Sequence, residues 1–279
     1  MCKKTPRDSH YARLRRQYRA VKSADMVKNH ARKAIAPAGV SKGRIWLYGF
    51  HTTEAALKNP RRKIHRLLVT KNACIRLGLD ELQLPCTPEV TEPRVLEQLL
   101  GSEAVHQGIM LETEPLFTKK LINLHDLPLI IILDQITDPH NVGAIMRSAV
   151  AFNAGALITT ARHSPQESGF LAKAAAGALE LIDHIIVQNL AKALETLHET
   201  GFQTFGLDSA GTQPLEVAFS GRKIALVLGA EGKGLRQKTK QMVSALARLD
   251  MPGKIKSLNV SNAAAIALYA AHSYLRYLE

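Results

Sequence analysis

The chain has 279 residues, 46% of them hydrophobic, which is enough for one large domain or two unequal ones. It has no run near the ~18 uncharged apolar residues of a membrane span, and its N-terminus has no apolar signal core, so we expect a cytoplasmic protein without a membrane partner. The formal net charge of +13 favours a polyanionic partner such as a nucleic acid.

The cysteines and histidines do not follow metal-binding patterns. Cys2, Cys74 and Cys86 have no C-x-x-C spacing, and the 11 histidines are scattered. We therefore expect no disulfide framework, no metal and a reducing compartment.

Residues 1–43 hold most of the positive charge. They carry 12 Lys or Arg against Asp8 and Asp25, a net charge of +10. Few large apolar residues occur there, so we predict a disordered or weakly helical arm that binds nucleic-acid phosphates. A solvated tail is the alternative, and a transit peptide is disfavoured because the two aspartates interrupt the basic run.

Residues 44–113 have the pattern of a small α/β domain. Thr52 and Thr53 are candidate N-caps of a short helix, and Pro93 begins a second helix that Gly101 ends. The predicted strands are 64–70 and 108–114. A group of basic residues either faces RNA or forms a solvated edge, and it comprises Arg61, Arg62, Lys63 and Arg66.

Residues 114–127 are a predicted linker, and from 128 to 279 the chain alternates strands and helices. The predicted strands are 129–134, 156–161, 184–188, 202–207, 223–229 and 245–250. Continuous apolar strands with helical crossovers indicate an α/β fold, in which a parallel sheet has helices on both faces. Ligands of such sheets bind at the carboxyl ends of the strands.

The loop after the first of these strands, DQITDPHNVGAIMRSAVAFNAG, leads into a helix. Asn141 is its predicted N-cap and Gly155 its predicted stop. The predicted core stripe comprises Val142, Ile145, Met146 and Ala149. Because helical side chains lean towards the N-terminus, Arg147 is predicted to reach back past Gly143 to the mouth that Asn141 caps. A surface arginine on a solvated face is the alternative.

A glycine-rich loop, LVLGAEGKGL, follows a later strand. Its three glycines allow tight turns and close approach of a ligand to the backbone. The spacing G-x-x-G-x-G is not the dinucleotide fingerprint, and Lys233 precedes Gly234 rather than Ser or Thr, so the P-loop pattern fails as well. With both phosphate-binding patterns excluded, the loop offers a ligand its backbone groups and one carboxylate, Glu231.

A third loop, SLNVSN, precedes an uncharged, alanine-rich helix. The loop supplies helix-capping residue types, namely Ser257, Asn259, Ser261 and Asn262. The helix 263–271 is apolar all round, which is typical of a helix buried on every side. One sheet face covers only part of it, so we predict a two-fold dimer through this region. A well-capped core helix without further function is the alternative.

Taken together, NVGAIMRSA, LVLGAEGKGL and SLNVSNAAAIAL resemble, in this order and spacing, the three motifs of the SpoU/TrmH family of RNA ribose 2′-O-methyltransferases. The resemblance covers roughly residues 128–278, and residues 44–113 resemble the small ribosomal-protein-type substrate-binding domain of many members. YGFHTTEAAL, DPHNVGAIMRSA and SLNVSNAAAIALY look most like the bacterial branch that methylates a guanosine ribose in 23S rRNA. The alternatives are a tRNA ribose methyltransferase of the same family and a non-catalytic RNA-binding ribosome-assembly factor.

The resemblance implies S-adenosyl-L-methionine as the methyl donor, a homodimer and a C-terminal trefoil knot. The positions that match the family's cofactor pocket are Leu228, Gly229, Leu249, Leu258 and Ser261. Those that match its catalytic positions are Asn141, Arg147, Glu231, Ser257 and Asn259. The family's proposal makes Arg147 a general base, whereas a guanidinium, which stays protonated in proteins, is better suited to clamp the phosphate or 2′-oxygen. The chain departs from the family at Asp250, where a carboxylate is expected near the adenosine pocket.

Overall fold

Two β-sheets organise the part of the chain that can be described. The computed structural model describes residues 43–78, 84–124 and 126–278, so the predicted basic arm falls outside the described residues except at Gly43. The described residues all lie in one compact unit, Val40–Glu279. No helix among them is both long and apolar enough to cross a bilayer.

The first sheet has four strands in the spatial order β1-β4-β2-β3. They are β1 (Ile45–Tyr48), β2 (Ile64–Val69), β3 (Pro88–Val90) and β4 (Ile109–Thr113), and their helices are α1 (Phe50–Lys58), α2 (Lys71–Leu77) and α3 (Pro93–Leu100). β4 pairs antiparallel with β1 and β2, and β2 pairs parallel with β3. The predicted strands β2 and β4 and the helix that Gly101 ends are confirmed, whereas the sequence pattern did not indicate β1, β3 or α2.

The prediction that Thr52 and Thr53 cap a helix is wrong. Helix α1 begins earlier, at Phe50, after Gly49 with its positive φ of 85°. Both threonines are buried within the helix. The Thr53 hydroxyl donates to the Gly49 carbonyl at 3.0 Å, and the Thr52 hydroxyl donates to the Ala172 carbonyl of the other sheet's layer at 3.1 Å.

The second sheet has seven strands in the order β7-β6-β5-β10-β8-β11-β9. They are β5 (Leu129–Asp134), β6 (Ala156–Thr160), β7 (Asp183–Val187), β8 (Gln203–Leu207), β9 (Gln213–Pro214), β10 (Ile224–Gly229) and β11 (Ala245–Arg248). Every pairing is parallel, which confirms the predicted sheet. The sequence pattern did not indicate the short edge strand β9. Before the sheet, the predicted linker contains a 3-10 turn, Leu121–Leu124.

Helices cover both faces of this sheet, as predicted. They are α4 (Pro139–Ala151), α5 (Gly169–Ala175), α6 (Leu190–Glu199), α7 (Leu215–Ala218), α8 (Gln237–Met242) and α9 (Val260–Arg276), and a 3-10 turn, Ala178–Glu180, follows α5. Alternate side chains of β5 point to opposite layers: Ile131 lies in the core with α4, α5 and α9, and Ile132 lies in the core with α6. The first of these cores continues without a break into the small sheet through Leu47 and Leu67.

Helix α4 differs from its prediction at both ends. Asp138, not Asn141, is the N-cap, since its carboxylate accepts the His140 N–H at 2.9 Å and Pro139 occupies the first turn. The helix ends at Ala151 and the chain turns through Asn153 (φ 58°), so Gly155 is not the stop. The predicted core stripe is confirmed, because all four of its side chains are buried.

Helix α9 is buried on one side only within the chain. Ala264, Ala267 and Leu268 face the core, whereas Ile266 is 44% exposed and Tyr269 is 61% exposed. The described residues therefore cover only part of this helix, as expected for one sheet face, and its cover by a second copy stays a prediction.

Candidate active site

The three loops predicted to carry the site meet at one edge of the large sheet. β6 and β7 lie on one side of β5, and β8 lies on the far side of β10, so the strand order reverses between β5 and β10. The last residues of these two strands, Asp134 and Gly229, are paired directly. Parallel α/β sheets bind ligands at such a switch point, beyond the carboxyl ends of the strands.

Asn141, Glu231 and Asn259 form a hydrogen-bonded cluster at this edge. Oε1 of Glu231 accepts from Nδ2 of Asn141 at 3.1 Å and from Nδ2 of Asn259 at 2.7 Å, and Nδ2 of Asn259 also lies 3.0 Å from Oδ1 of Asn141. The same Glu231 oxygen accepts the Val260 N–H at 3.3 Å. One carboxylate thus ties together the first turn of α4, the glycine loop and the positive N-terminus of α9.

Asn259 also caps helix α9. Its Oδ1 accepts the Ser261 N–H at 2.9 Å and the Ser261 hydroxyl as well. The capping predicted for the third loop is confirmed at this residue. Since Oδ1 is engaged in the cap, the amide nitrogen of Asn259 is left pointing at Asn141 and Glu231.

The glycine loop folds back on the end of its own strand. A Cβ on Gly229 would lie 2.1 Å from the Gly234 carbonyl carbon, so no larger residue fits there. Gly232 and Gly234 have φ of 76° and 64°, the left-handed region that favours glycine. Gly234 donates its N–H to the Ala230 carbonyl at 2.8 Å, which closes the turn.

Sequence reasoning missed the residue that anchors this loop, Asp134. Its carboxylate is fully buried and accepts from the Arg236 N–H at 3.2 Å, from Arg236 Nε at 2.7 Å and from the Thr239 hydroxyl at 2.7 Å. The sequence did contain a signal, because an aspartate that ends an otherwise apolar strand needs buried partners.

A cavity of about 390 Å³ opens beside the cluster. Four of the five predicted cofactor residues line it, namely Leu228, Gly229, Leu249 and Leu258, as do Glu231 and Ser257. The fifth, Ser261, is not part of the lining.

Asp208 and Lys240 also line this cavity, and sequence reasoning did not find them. The Lys240 ammonium and the Asp208 carboxylate form an ion pair. Burial alone would raise the pKa of the Asp208 carboxyl, but the hydrogen bonds from Lys240 and from the Ala210 N–H and the Lys240 charge outweigh burial and hold the pKa below its ordinary value. The cavity therefore has a glycine backbone wall, leucine side chains and one paired carboxylate.

Arg147 lies elsewhere. Its exposed side chain lines a separate cavity of about 950 Å³ between α1 and α4, together with His51 and Lys58. A Cβ on Gly143 would lie 2.5 Å from Cβ of Ala174, so Gly143 lets α4 pack closely on α5 and gives no path to a side chain. The predicted route of Arg147 past Gly143 is wrong, and its chemical role stays a prediction.

Family models match both parts of the chain. The model of the SpoU rRNA Methylase family matches residues 128–269, and the model of the RNA 2′-O ribose methyltransferase substrate-binding domain matches residues 46–118. The first match spans all three loops of the site. The chain belongs to the SpoU rRNA methylase family.

Curated SpoU relatives align with nearly the whole of their own length. The chain is 35% identical over 242 residues to the 23S rRNA (guanosine-2′-O-)-methyltransferase RlmB of Ralstonia nicotianae, covering 83% of this chain and 96% of the relative. It is 33% identical over 239 residues to the protein of the same name from Salmonella typhimurium, covering 81% and 96%.

Solved SpoU structures have the same fold. The methyltransferase AviRb from Streptomyces viridochromogenes, in complex with AdoMet, superposes with a TM-score of 0.71 at 20% identity, over 83% of this chain and 90% of that chain. An AdoMet-bound rRNA methyltransferase from Sinorhizobium meliloti also gives a TM-score of 0.71 at 20% identity, over 84% and 88%.

The departure of this SpoU chain at Asp250 lies beside the cavity and not in its lining. The Asp250 carboxylate is 61% exposed and accepts from Arg248 Nε at 2.8 Å. Its neighbours Leu249 and Met251 line the cavity and Asp250 does not. Asp250 therefore lies next to the lining without being part of it, and its effect on cofactor binding stays a prediction.

Proposed function

We propose that this protein transfers a methyl group from S-adenosylmethionine to the ribose 2′-hydroxyl of a guanosine in 23S rRNA. The observation that carries the proposal is the Asn141–Glu231–Asn259 cluster, which lies at the switch point beside an open cavity. The identity of 35% to a 23S rRNA guanosine methyltransferase, over nearly the whole relative, supports the same substrate.

The cavity residues fit the proposed cofactor. Its volume of about 390 Å³ lies in the range of small-molecule pockets. Gly229, Gly232 and Gly234 line the cavity without side chains of their own, so their backbone N–H and C=O groups can approach a purine edge closely. Leu249 and Leu258 supply apolar cover, and the paired Asp208 and Lys240 supply polar contacts for the amino-acid end.

The catalytic residues then align the ribose. The cofactor, when bound, supplies a methyl group already activated by its sulfonium. Asn141, Glu231 and Asn259 hold one another in a fixed geometry. The second Glu231 oxygen and the second Nδ2 hydrogen of Asn141, which take no part in the cluster, then position the ribose and its 2′-hydroxyl at the cavity mouth. We assign Ser257 to the same mouth and Arg147 to a clamp that stabilises the charge on the 2′-oxygen or the adjacent phosphate.

The assembly proposed for this function is a homodimer. On α9, Ile266 and Tyr269 form an apolar face that the described residues leave exposed. Phe152 continues this face through an edge-to-face contact with Tyr269, with 5.8 Å between the ring centroids. A second copy related by a two-fold axis provides cover of the same chemistry. Arg147 lies on the neighbouring helix α4, so the pairing of two copies also determines which parts of the dimer Arg147 lies near.

A C-terminal trefoil knot and a cytoplasmic location complete the proposal. The knot is supported by the match of residues 128–269 to the SpoU rRNA Methylase family. The location is supported by the proposed substrate, since ribosomal RNA is cytoplasmic in bacteria.

Mapping ribose methylation in a deletion strain tests the function. We expect one 2′-O-methylguanosine to disappear from 23S rRNA, to return with the wild-type gene and not to return with Glu231→Ala. Disappearance of a tRNA modification instead would assign the protein to tRNA. Unchanged rRNA and tRNA would indicate a non-catalytic RNA-binding protein.

A further inference from the structure

Arg62 is a buried cation that joins the two sheets. Its side chain is fully buried. The guanidinium forms ion pairs with Glu180, after helix α5, and with Glu167, before it. Its Nε lies 3.2 Å from the second Glu180 oxygen, and its Nη1 donates to the Glu114 carbonyl at 2.9 Å. Neither sequence interpretation, an RNA-facing residue or a solvated edge, describes this position.

Both carboxylates are held in place by further donors. Nδ2 of Asn59 donates to Glu180 at 2.7 Å, and the Leu116 N–H donates to Glu167 at 2.9 Å. Each nitrogen of the Arg62 guanidinium therefore has an acceptor. The further donors to the two carboxylates come from Asn59, after α1, and from Leu116, in the segment that connects the two sheets.

A second ion-paired group continues the contact towards the surface. Asp183, at the start of β7, accepts from Arg61 Nη1 at 3.1 Å and from Lys119 Nζ at 2.8 Å. Of the basic residues predicted to bunch here, Arg61 and Arg62 thus bind the large sheet's layer. Lys63 and Arg66 pair within the small sheet's layer, with Glu114 and Glu89.

The helix between the two carboxylates packs against the small sheet at backbone distance. A Cβ on Gly169 would lie 2.4 Å from the Trp46 carbonyl oxygen, and one on Gly177 would lie 3.1 Å from Ala55 Cβ. Between these glycines, the Ala172 carbonyl accepts the Thr52 hydroxyl. At these points the two layers are in contact at backbone distance, which limits how far one could slide over the other.

The chemistry of this buried ion cluster favours specificity over stability. A buried ion pair repays the cost of desolvation only when its geometry is good, and well-packed neutral groups often stabilise a protein as much. What the charged group adds is that any other relative placement of the two layers leaves a buried charge unpaired. A planar guanidinium with carboxylates on two of its edges accepts few orientations.

We propose that Arg62 is a positioning residue, which locks the small sheet domain onto the methyltransferase domain of its own chain so that RNA held by the first reaches the site of the second at a fixed distance. The proposal rests on the function proposed above. When the two RNA-binding surfaces are already held in one arrangement, less conformational entropy is lost as RNA binds. Arg62 acts through Glu180 and Glu167 and does not contact RNA.

The first experiment asks whether the lock exists. Arg62→Met alone leaves two buried carboxylates unpaired and endangers folding, so the main variant is Arg62→Met/Glu167→Gln/Glu180→Gln, which removes all three charges. The matched control is Arg66→Met/Glu89→Gln, which removes an exposed bidentate pair within the small sheet. We expect cooperative melting in both and faster hydrogen exchange in α1 and α5 in the triple variant alone. Wild-type exchange in the triple variant overturns the lock.

The second experiment asks whether the lock positions RNA. With a 23S rRNA fragment, we expect the triple variant to raise KM for RNA about tenfold, with kcat and S-adenosylmethionine affinity within about threefold of wild type. Arg62→Lys, a point charge without the planar fork, should give an intermediate KM. Faster exchange with an unchanged KM overturns the positioning role. A wild-type protein that methylates no RNA overturns the proposed function instead, while the exchange result still decides the lock.

Discussion

Glu231 and Asn259 lie 28 positions apart in the chain, yet Oε1 of the first accepts Nδ2 of the second at 2.7 Å. This contact joins the glycine loop to the N-cap of α9. It holds the third loop against the second through the chain's own side chains, so the site is organised in advance.

Arg147 should matter for the rate of methyl transfer and not for cofactor binding, because it lines a different cavity from the one beside Gly229. We expect Arg147→Ala to lower the rate by about 10² or more, the scale of losing one oxyanion-type donor. S-adenosylmethionine affinity, measured by calorimetry, should stay within a few-fold.

Arg147→Lys should retain part of the rate, since a point charge keeps some of the electrostatic effect without the bidentate geometry. Arg222→Ala serves as the control: this exposed residue lies just before β10, at the amino ends of the strands, and its substitution should leave the methyl-transfer rate unchanged. Loss of cofactor binding in a folded Arg147→Ala protein would place the residue in the cofactor pocket and refute our assignment.

Gly229→Ala should remove cofactor binding by displacing the loop. The added methyl group would lie 2.1 Å from the Gly234 carbonyl carbon, so the loop has to move. We expect at least about a tenfold loss of S-adenosylmethionine affinity and a loss of about 1–3 kcal/mol in the free energy of unfolding. Gly253→Ala is the control, since no atom lies within 4 Å of its added methyl group. Equal behaviour of the two variants would contradict the close-packed loop.

The basic arm should act through phosphates. Deleting residues 1–43 removes 12 Lys or Arg and should weaken RNA binding and flatten its dependence on salt concentration, because fewer counterions are released. Cofactor affinity should not change. A scrambled arm of the same composition should restore the slope. If the slope of the truncated protein equals that of the full chain, the arm has another role.

The dimer should depend on the exposed face of α9. Ile266→Glu places a charge where we expect an apolar contact between copies, which costs several kcal/mol. Light scattering should then show monomers. Ile255→Glu, at a loop residue that is 76% exposed, should leave dimers intact. A wild-type monomer at micromolar concentration would exclude the interface.

His184 should make the fold sensitive to mild acid. Desolvation lowers its pKa from 6.5 to about 4, and its Nε2 lies 2.9 Å from the Thr159 hydroxyl. Between these two values the unfolded chain binds the proton and the folded chain does not, so the free energy of unfolding falls as pH drops from 6.5 towards 4.

The full effect of His184 is about 3 kcal/mol. His184→Gln should make the pH dependence of chemical denaturation shallower by up to that amount, and His163→Asn, at an exposed position, should not. An unchanged profile in His184→Gln would show that this ring does not set the acid response.

The sequence could predict the large sheet because its strands are continuous apolar runs, which are typical of parallel strands buried on both faces. The sequence could also predict that three distant loops meet at one edge of the sheet, because the carboxyl ends of parallel strands lie at the same edge. The capping chemistry of Asn259 followed from residue type alone.

Contacts between distant positions could not be predicted in this way. Arg62 and Glu180 are 118 residues apart, and nothing local distinguishes Arg62 from the exposed Arg66. The lean of Arg147 follows a sound rule for helices, but the space over Gly143 is filled by α5, a helix that comes 26 positions later. Asn141 has the side chain of an N-cap, and Asp138 before Pro139 takes that place.

Helix α5 is packed on two sides at once. Ala174 meets Gly143 of the helix that carries Asn141, and the glycines at its ends meet Trp46 of β1 and Ala55 of α1. A recombinant fragment that starts at residue 128 would uncover this second side and leave Glu167 and Glu180 without their arginine. The methyltransferase domain is therefore not an interchangeable module: exchanging the small domain between relatives requires the matching surface of α5 to travel with it.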